Sequence, residues 1–264
     1  MRNQNLMSFL AELVYPTYAL WMREIIRFVR QRSRMIGVIG SPVLFWFFIG
    51  SGLGSSFRSN AIAGGTNYLE YFFPGTVLLI MLFTAIFSTI SIIEDRNAGF
   101  LQSVLVAPVT GSSIALGKIL GGTTLAVLQA LIFLFLAPFI GITFDVAHLV
   151  ALVLLLFMVA FGLTGLGFLI AWRMESAQGF HAIVNLFLIP LWLLSGSLFP
   201  IDGAPGWLRL LMNINPLTYA VDATRGLLYR QVSSHVGEFT LSVLVVFAFG
   251  AAVFTGSILS VRKK

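Results

Sequence analysis

The chain has 264 residues, of which 58% are hydrophobic and 10% charged, with 25 Phe and no Cys. An average soluble domain is roughly 25% charged, so no polar surface could cover this composition in water, and the solvent for most of the chain is lipid. The absence of thiols excludes disulfides, thiolate metal sites and cysteine nucleophiles. The net charge of +6 reads as the basic bias of one side of a membrane protein and implies no nucleic-acid partner.

In chain order, residues 1–16 form a short lead that ends in Tyr15-Pro16 and contains Glu12. It lacks the basic-then-apolar order of a cleavable signal. From Thr17, read as an N-cap, an amphipathic helix is expected to about Arg34. Tyr18, Trp21, Met22, Ile25, Phe28 and Val29 share one side, and Arg23, Arg27, Arg30 and Arg34 form a stripe on the other. Such a helix lies in the headgroup plane, rings in the acyl boundary and guanidiniums toward phosphates or a partner. Simple anchoring and docking of a cytoplasmic subunit both remain open.

Six spans are expected, at about 36–57, 71–93, 114–140, 146–172, 180–199 and 239–261. The fold class is therefore an all-α integral membrane protein, one domain over 1–264 with an interfacial region at 1–35 and a six-span bundle at 36–261. With the N-terminus inside, the cytoplasmic side holds Arg2, the five arginines from Arg23 to Arg34, Arg96, Lys118, Arg173, Arg262, Lys263 and Lys264. The outside holds only Arg58, Arg209, Arg225 and Arg230. That asymmetry places both termini in the cytoplasm.

Between the second and third spans runs Glu94-Asp95-Arg96-Asn97-Ala98-Gly99, then Phe100, Leu101, Val104 and Leu105 at the spacing of a short amphipathic helix ended by Pro108. Held just outside the membrane on the cytoplasmic side, it suits a lever on which another protein pushes. The one long loop, between spans five and six, begins at Pro200 and contains Asn215-Pro216 and then a second helix. That helix carries Leu217, Ala220, Val221, Leu227 and Leu228 on one side, with Thr218, Asp222, Arg225 and Tyr229 on the other. These pieces are too short to span and too apolar for a free loop, so they dip into the outer leaflet or pack on the bundle.

A phosphate-binding loop needs Gly, four residues, then Gly-Lys-Ser/Thr. Gly111 to Gly117-Lys118-Ile119 has one residue too many and no hydroxyl. The cluster Gly162-Leu163-Thr164-Gly165-Leu166-Gly167 lies inside a span and reads as close helix packing. His148, His181 and His235 are too scattered for a metal site, and no carboxylate is expected mid-span, which disfavours an ion-coupled pump. Catalysis, a metal and a resident cofactor are therefore not expected. Two polar stripes remain: Thr84, Ser88 and Ser91 on the second span, and Gln178, His181 and Asn185 on the fifth. Each either makes interhelical hydrogen bonds or lines a conduit.

Taken together, these features resemble the membrane subunits of type-2 ABC exporters, the ABC-2 permease family. The resemblance is carried by the arginine-rich helix before span one, by Glu94-Asp95-Arg96 with Gly99, Pro108 and Gly117-Lys118, and by Phe199-Pro200 through Asn215-Pro216-Leu217-Thr218-Tyr219 with Asp222 and Arg225. It implies a half-channel in the bacterial inner membrane that pairs with a second copy of itself. Two separate ABC ATPase subunits, holding ATP and magnesium, would dock below. It also implies a coupling helix over Gly99–Pro108, a conduit lined by spans two and five, and re-entrant helices over Pro200–Tyr229. The expected cargo is a drug-like or lipidic amphiphile, because aliphatic residues flank the polar stripes. A lipid-linked glycan and a non-transporting scaffold are the alternatives.

Overall fold

A computed structural model describes residues 2–53, 68–107, 109–143, 145–229 and 239–262. Among these residues the regular structure is helical: α1 (Arg2–Arg30), α2 (Arg32–Leu53), α3 (Tyr68–Ser88), α4 (Ile90–Asn97), α5 (Phe100–Val106), α6 (Gly111–Leu134), α7 (Val146–Arg173), α8 (Ala177–Leu193), α9 (Gly206–Ile214), α10 (Pro216–Tyr229) and α11 (Phe239–Arg262). Among the described residues, four stretches are long and apolar enough to cross a membrane: Tyr68–Asn97, Gly111–Leu134, Val146–Arg173 and Phe239–Val261. The apolar helices Ile36–Gly52 and Ala177–Leu193 are shorter, at the lower limit for a hydrocarbon core of ~30 Å.

The centre of the bundle is α3, in which every residue from Phe72 to Leu82 is buried. Around it stand α2, α6, α7 and α10. In lipid, burying an apolar side chain exchanges one apolar contact for another, so close backbone approach and polar pairs decide the packing. Glycine supplies the approach. A Cβ at Gly162 would stand 2.8 Å from Phe249 of α11, and one at Gly167 would stand 3.0 Å from the backbone of Ile86. The 162–167 cluster is thus helix-packing surface on two sides of α7. At the junction of α3 and α4, the hydroxyls of Ser88 and Thr89 donate back to Ala85 O and Ile86 O at 2.7 and 2.6 Å, tightening the turn that separates the two helices.

Several boundaries differ from the sequence expectation, each for a local reason. The first helix does not start at Thr17 but runs through Pro16 from Arg2. Pro16 leaves the Glu12 carbonyl without its helical donor, and the Ser113 hydroxyl of α6 donates to it at 3.1 Å. Thr17 then sits mid-helix, its hydroxyl donating to Leu13 O at 2.6 Å. The third span stops at Leu134 because Pro138 lacks an N–H for that carbonyl, and a 3-10 turn at Ala137–Ile140 follows. The fifth ends at Leu193, short of Phe199, where the chain turns through Gly196 at φ +76°.

Pro74 inside α3 poses the same problem as Pro16, and a distant residue solves it: the Tyr229 hydroxyl of α10 donates to Glu70 O. Tyr229→Phe should therefore cost about 1 kcal/mol. Adding Pro74→Ala, which returns an N–H to Glu70 O, should recover most of that loss. Thermal melting of the solubilised single and double variants checks the coupling; equal costs for Tyr229→Phe in both backgrounds would refute it.

Candidate functional site

The third apolar helix carries Lys118 two turns beyond its start, flanked on the same chain by Gly117 and Gly121. Both glycines face α1: a Cβ at Gly117 would meet Thr17 O at 2.9 Å, and one at Gly121 would meet the Glu24 Cβ at 2.7 Å. Thr17 with Leu20 pairs with Gly117, and Trp21 with Glu24 pairs with Gly121, so the two helices run in the same direction over this stretch. Trp21 Nε1 donates to Thr124 Oγ1 at 3.0 Å and extends the contact. α1 therefore docks lengthwise along α6 through Thr17, Leu20, Trp21 and Glu24. The cause is the glycine pair, which admits the α1 backbone closely.

This approach assembles six charges. Lys118 Nζ donates to Glu24 and to Asp95 Oδ2, the latter at 2.5 Å, and also reaches Ser91 Oγ at 3.3 Å. The side chains of Lys118, Glu24 and Asp95 are 2%, 5% and 2% exposed. Arg23 grips Asp95 with both terminal nitrogens, each at 2.6 Å. Arg27, one turn on, donates to Asp95 Oδ1 at 2.9 Å and to Glu94 Oε2 at 2.5 Å. Three cations meet three carboxylates, so the cluster is neutral. The Arg23 guanidinium is held still further above its high ordinary value, first by the hydrogen bond to Asp95, against burial, which lowers it. Arg23 and Arg27 thus point at carboxylates of this same chain, in place of the phosphates or partner expected for the stripe. Arg30 is exposed, and the Arg34 side chain lies outside the described residues.

Of the side chains expected to face the acyl boundary, Tyr18, Met22 and Val29 are exposed, whereas Trp21 is half-buried and Phe28 buried. Tyr18 and Met22, with Ala19, Ile26 and Gln31, border an open groove of ≈ 670 Å³ edged by Arg23, Arg27 and Arg30. The face of α1 turned to the bundle is instead Thr17, Leu20, Glu24 and Phe28. Glu24 was not singled out in the sequence, and Lys118 only as part of the Gly117-Lys118 pair, although each is a lone charge in an apolar helical stripe, and the two are opposite in sign.

The cluster supports α5. Gly99, at φ +76°, reverses the chain after α4, a backbone conformation that glycine adopts without steric cost. Phe100 lies under Arg23, with the guanidinium carbon 3.7 Å from the ring centroid, a cation–π contact worth roughly 0.5–2 kcal/mol. Leu101 is buried and Val104 half-buried against the bundle, while Gln102, Ser103, Leu105 and Val106 are exposed. The apolar face expected over Phe100, Leu101, Val104 and Leu105 is therefore divided. Leu105 lies at its margin, 42% exposed, and Val106 projects at 86%. Pro108 lies outside the described residues. Arg96 turns the other way, donating to Trp172 O and Met174 O at 2.6 and 2.8 Å.

The two polar stripes are not brought together. The Thr84 hydroxyl lies 2.8 Å from Ile80 O and within hydrogen-bond reach of the Gln129 side chain of α6; Ser88 bonds its own helix, and Ser91 meets Lys118. All three are buried on the side facing α6. Gln178, His181 and Asn185 are exposed along α8. Their nearest link to α3 is aromatic: the His181 ring lies 4.9 Å from Phe87, which stacks on Phe83 at 5.6 Å.

At the far end, Pro200 precedes a 3-10 turn at Ile201–Gly203. Asn215 then bridges three elements: its Nδ2 donates to Leu191 O at 2.6 Å and its Oδ1 accepts Leu217 N–H at 3.0 Å. Pro216 opens α10 as the first helical residue, where its missing N–H costs nothing. Thr218 donates to Met212 O at 2.6 Å, and Tyr219 to Asn213 O at 2.9 Å. The polar side of α10 is not solvated: Asp222 is buried and accepts from Ser242 of α11 at 3.2 Å. Arg225 lies 4.4 Å over the Tyr71 ring and donates to Gly196 O at 3.3 Å. α10 is thus packed into the bundle, whereas α9 exposes Trp207, Leu210, Leu211 and Ile214.

Residues 15–229, which include the ionic cluster, α5 and the Pro200–Tyr229 segment, match the family described as ABC-2 type transporter. The transport permease ycf38 of Cyanophora paradoxa is 28% identical over 215 residues, 80% of this chain and 73% of that one. YbhR of Escherichia coli K12 carries the name of a multidrug ABC transporter permease. It is 31% identical over 172 residues, 63% of this chain and 46% of its own. Nodulation protein J of Rhizobium leguminosarum bv. viciae is 24% identical over 242 residues, 89% of this chain and 92% of that one.

Proposed function

Since the chain belongs to the ABC-2 type transporter family, we propose that it is the permease subunit of an exporter driven by ATP hydrolysed on separate ABC ATPase subunits, with α5 as the part they push. One observation carries this reading: Leu105 and Val106 are exposed on a short helix whose other face is seated on a six-charge cluster. An apolar tip on a stiff base suits an apolar socket in a partner, and ATP with magnesium would be held there.

In this reading α2 and α8 cross the membrane along with the four longer helices, giving six spans with both termini in the cytoplasm of a bacterial inner membrane. A second copy covers the exposed polar face of α8, so that Gln178, His181 and Asn185 line a path between subunits, while Thr84, Ser88 and Ser91 pack α3 on α6. The groove along α1 lies against lipid, its arginine edge toward headgroups. The relative named as a multidrug permease supports a drug-like or lipidic amphiphile as cargo. A lipid-linked glycan is the second reading, favoured by the rings of Phe83, Phe87 and His181 that step along this face, since sugars stack on aromatic rings.

The test is purification of the tagged permease from native membranes. An ABC ATPase subunit should accompany it and hydrolyse Mg-ATP in nanodiscs; a preparation that never yields one supports a scaffold and sinks the exporter reading. The absence of native cysteine makes topology measurable in the same material. Gln102→Cys should react only from the side bearing the ATPase, and Trp207→Cys only from the opposite side.

A further inference from the structure

The attachment of α8 differs from that of the other long helices. Its buried residues are Phe180, Val184, Leu188 and Trp192, one per turn, so a single narrow ridge touches the bundle. At its far end Trp192 Nε1 donates to Gly75 O at 2.8 Å. At its near end only Met174, Glu175 and Ser176 separate it from α7. Met174 and Ser176 are extended, and the Ser176 hydroxyl caps α8 by accepting Gly179 N–H at 3.0 Å. A displacement of Met174 is therefore passed along two residues into the first turn of α8.

Arg96 grips this connection. Its two terminal nitrogens donate to Trp172 O at 2.6 Å and Met174 O at 2.8 Å, and its guanidinium lies 5.6 Å from the Trp172 ring centroid. The last carbonyls of a helix lack intrahelical donors and carry the negative end of its dipole. A planar fork of donors fits two of them at once, which a lysine ammonium cannot reproduce. On its own side Arg96 is tied to α5: Gly99 N–H donates to Arg96 O at 3.1 Å, and Ala98 N–H to Glu94 O at 2.9 Å.

We propose that Arg96 is a positioning residue that clamps the base of α5 to the start of α8, so that a push on α5 reaches Gln178, His181 and Asn185 directly. The proposal rests on the reading of α5 as the ATPase lever. It gives the first and second loops at this end of the bundle one shared joint, while the ionic cluster holds the opposite flank of the same turn to α1 and α6.

Hydrogen–deuterium exchange of the permease in nanodiscs tests the clamp without any partner. In both Arg96→Ala and Arg96→Lys, the amides of 175–181 should exchange about tenfold faster, with those of α6, α11 and residues 152–168 unchanged. Unchanged exchange at 175–181 in both variants overturns the clamp, and so does uniform acceleration of every helix. Transmission is tested with spin labels at Gln102→Cys, Gln178→Cys and Thr255→Cys, measured in pairs with the ATPase subunit and Mg-ATP. In the otherwise native protein the 102–255 and 178–255 distances should change together, whereas in Arg96→Ala only the first should change. Movement of 102 with 178 stationary in the native background overturns transmission. If neither label moves there, the lever reading itself fails, and the exchange result still decides the clamp.

Discussion

Lys118→Met is expected to lower stability by about 3–5 kcal/mol, the usual cost of removing one partner from a buried ion pair. Lys118 stands between Glu24 and Asp95, and all three are almost wholly enclosed. Without it Glu24 has, among the described residues, no near ionic partner except Arg23, at 3.7 Å, in a site where an uncompensated carboxylate is poorly solvated. Asp95 fares better because Arg23 and Arg27 still reach it. The double variant Glu24→Leu, Lys118→Met should therefore regain most of the loss. It removes one charge of each sign and leaves two arginines facing two carboxylates. Thermal melting of the four proteins in one detergent closes the cycle. Additive losses, with the double variant worse than either single one, would falsify the account of Lys118 as a charge-compensating residue. The same logic says what the cluster is for. A buried ion pair is weak evidence for stability in itself, because apolar residues of similar volume often do as well. Its effect here is to make α1, α4 and α6 meet in one register beneath α5.

Val106→Glu should abolish capture of the ATPase subunit while leaving the permease folded. The side chain is 86% exposed, so a carboxylate there costs the isolated chain little, whereas in an apolar socket it would be desolvated without a partner. A centrally placed contact residue is commonly worth 2 kcal/mol or more, so affinity should fall at least about thirtyfold. Leu105→Glu should act in the same direction. Phe100→Glu should differ: its ring carries the Arg23 guanidinium, so that change should lower the melting temperature as well as weaken capture. Binding of the partner measured beside thermal melting separates the cases. Undiminished capture by both Val106→Glu and Leu105→Glu would remove α5 from the contact.

Lipid as solvent, the helical class and the positions of the long apolar helices were legible in the sequence, because hydrophobic runs bounded by charges leave a chain in lipid few alternatives to helices. The turn at Gly99 and the short helix after it were legible for the same local reason. Proline was the main source of misplaced ends. Pro16 did not delay the first helix and Pro74 did not break α3, because donors from Ser113 and Tyr229, far away in the chain, satisfy the carbonyls those prolines leave open. Whether a proline ends a helix in lipid depends on such a donor, and no local pattern contains it.

The candidate site divides along the same line. By itself the sequence determined that Glu94, Asp95 and Arg96 stand at the end of an apolar helix, that Arg23 and Arg27 share a face, and that a short amphipathic helix follows Gly99. Those are periodicities of 3.6 residues, available to any reader of the chain. Only the tertiary structure decided that Asp95 answers Arg23, Arg27 and Lys118, that Glu24 belongs to the same cluster, and that Arg96 faces the end of α7. It also decided that Val106, outside the expected face of Phe100, Leu101, Val104 and Leu105, is the outermost apolar residue of α5. Each of these depends on which helices lie side by side. Here that was set by Gly117 and Gly121 admitting α1 against α6, a contact in which the missing side chain is the cause.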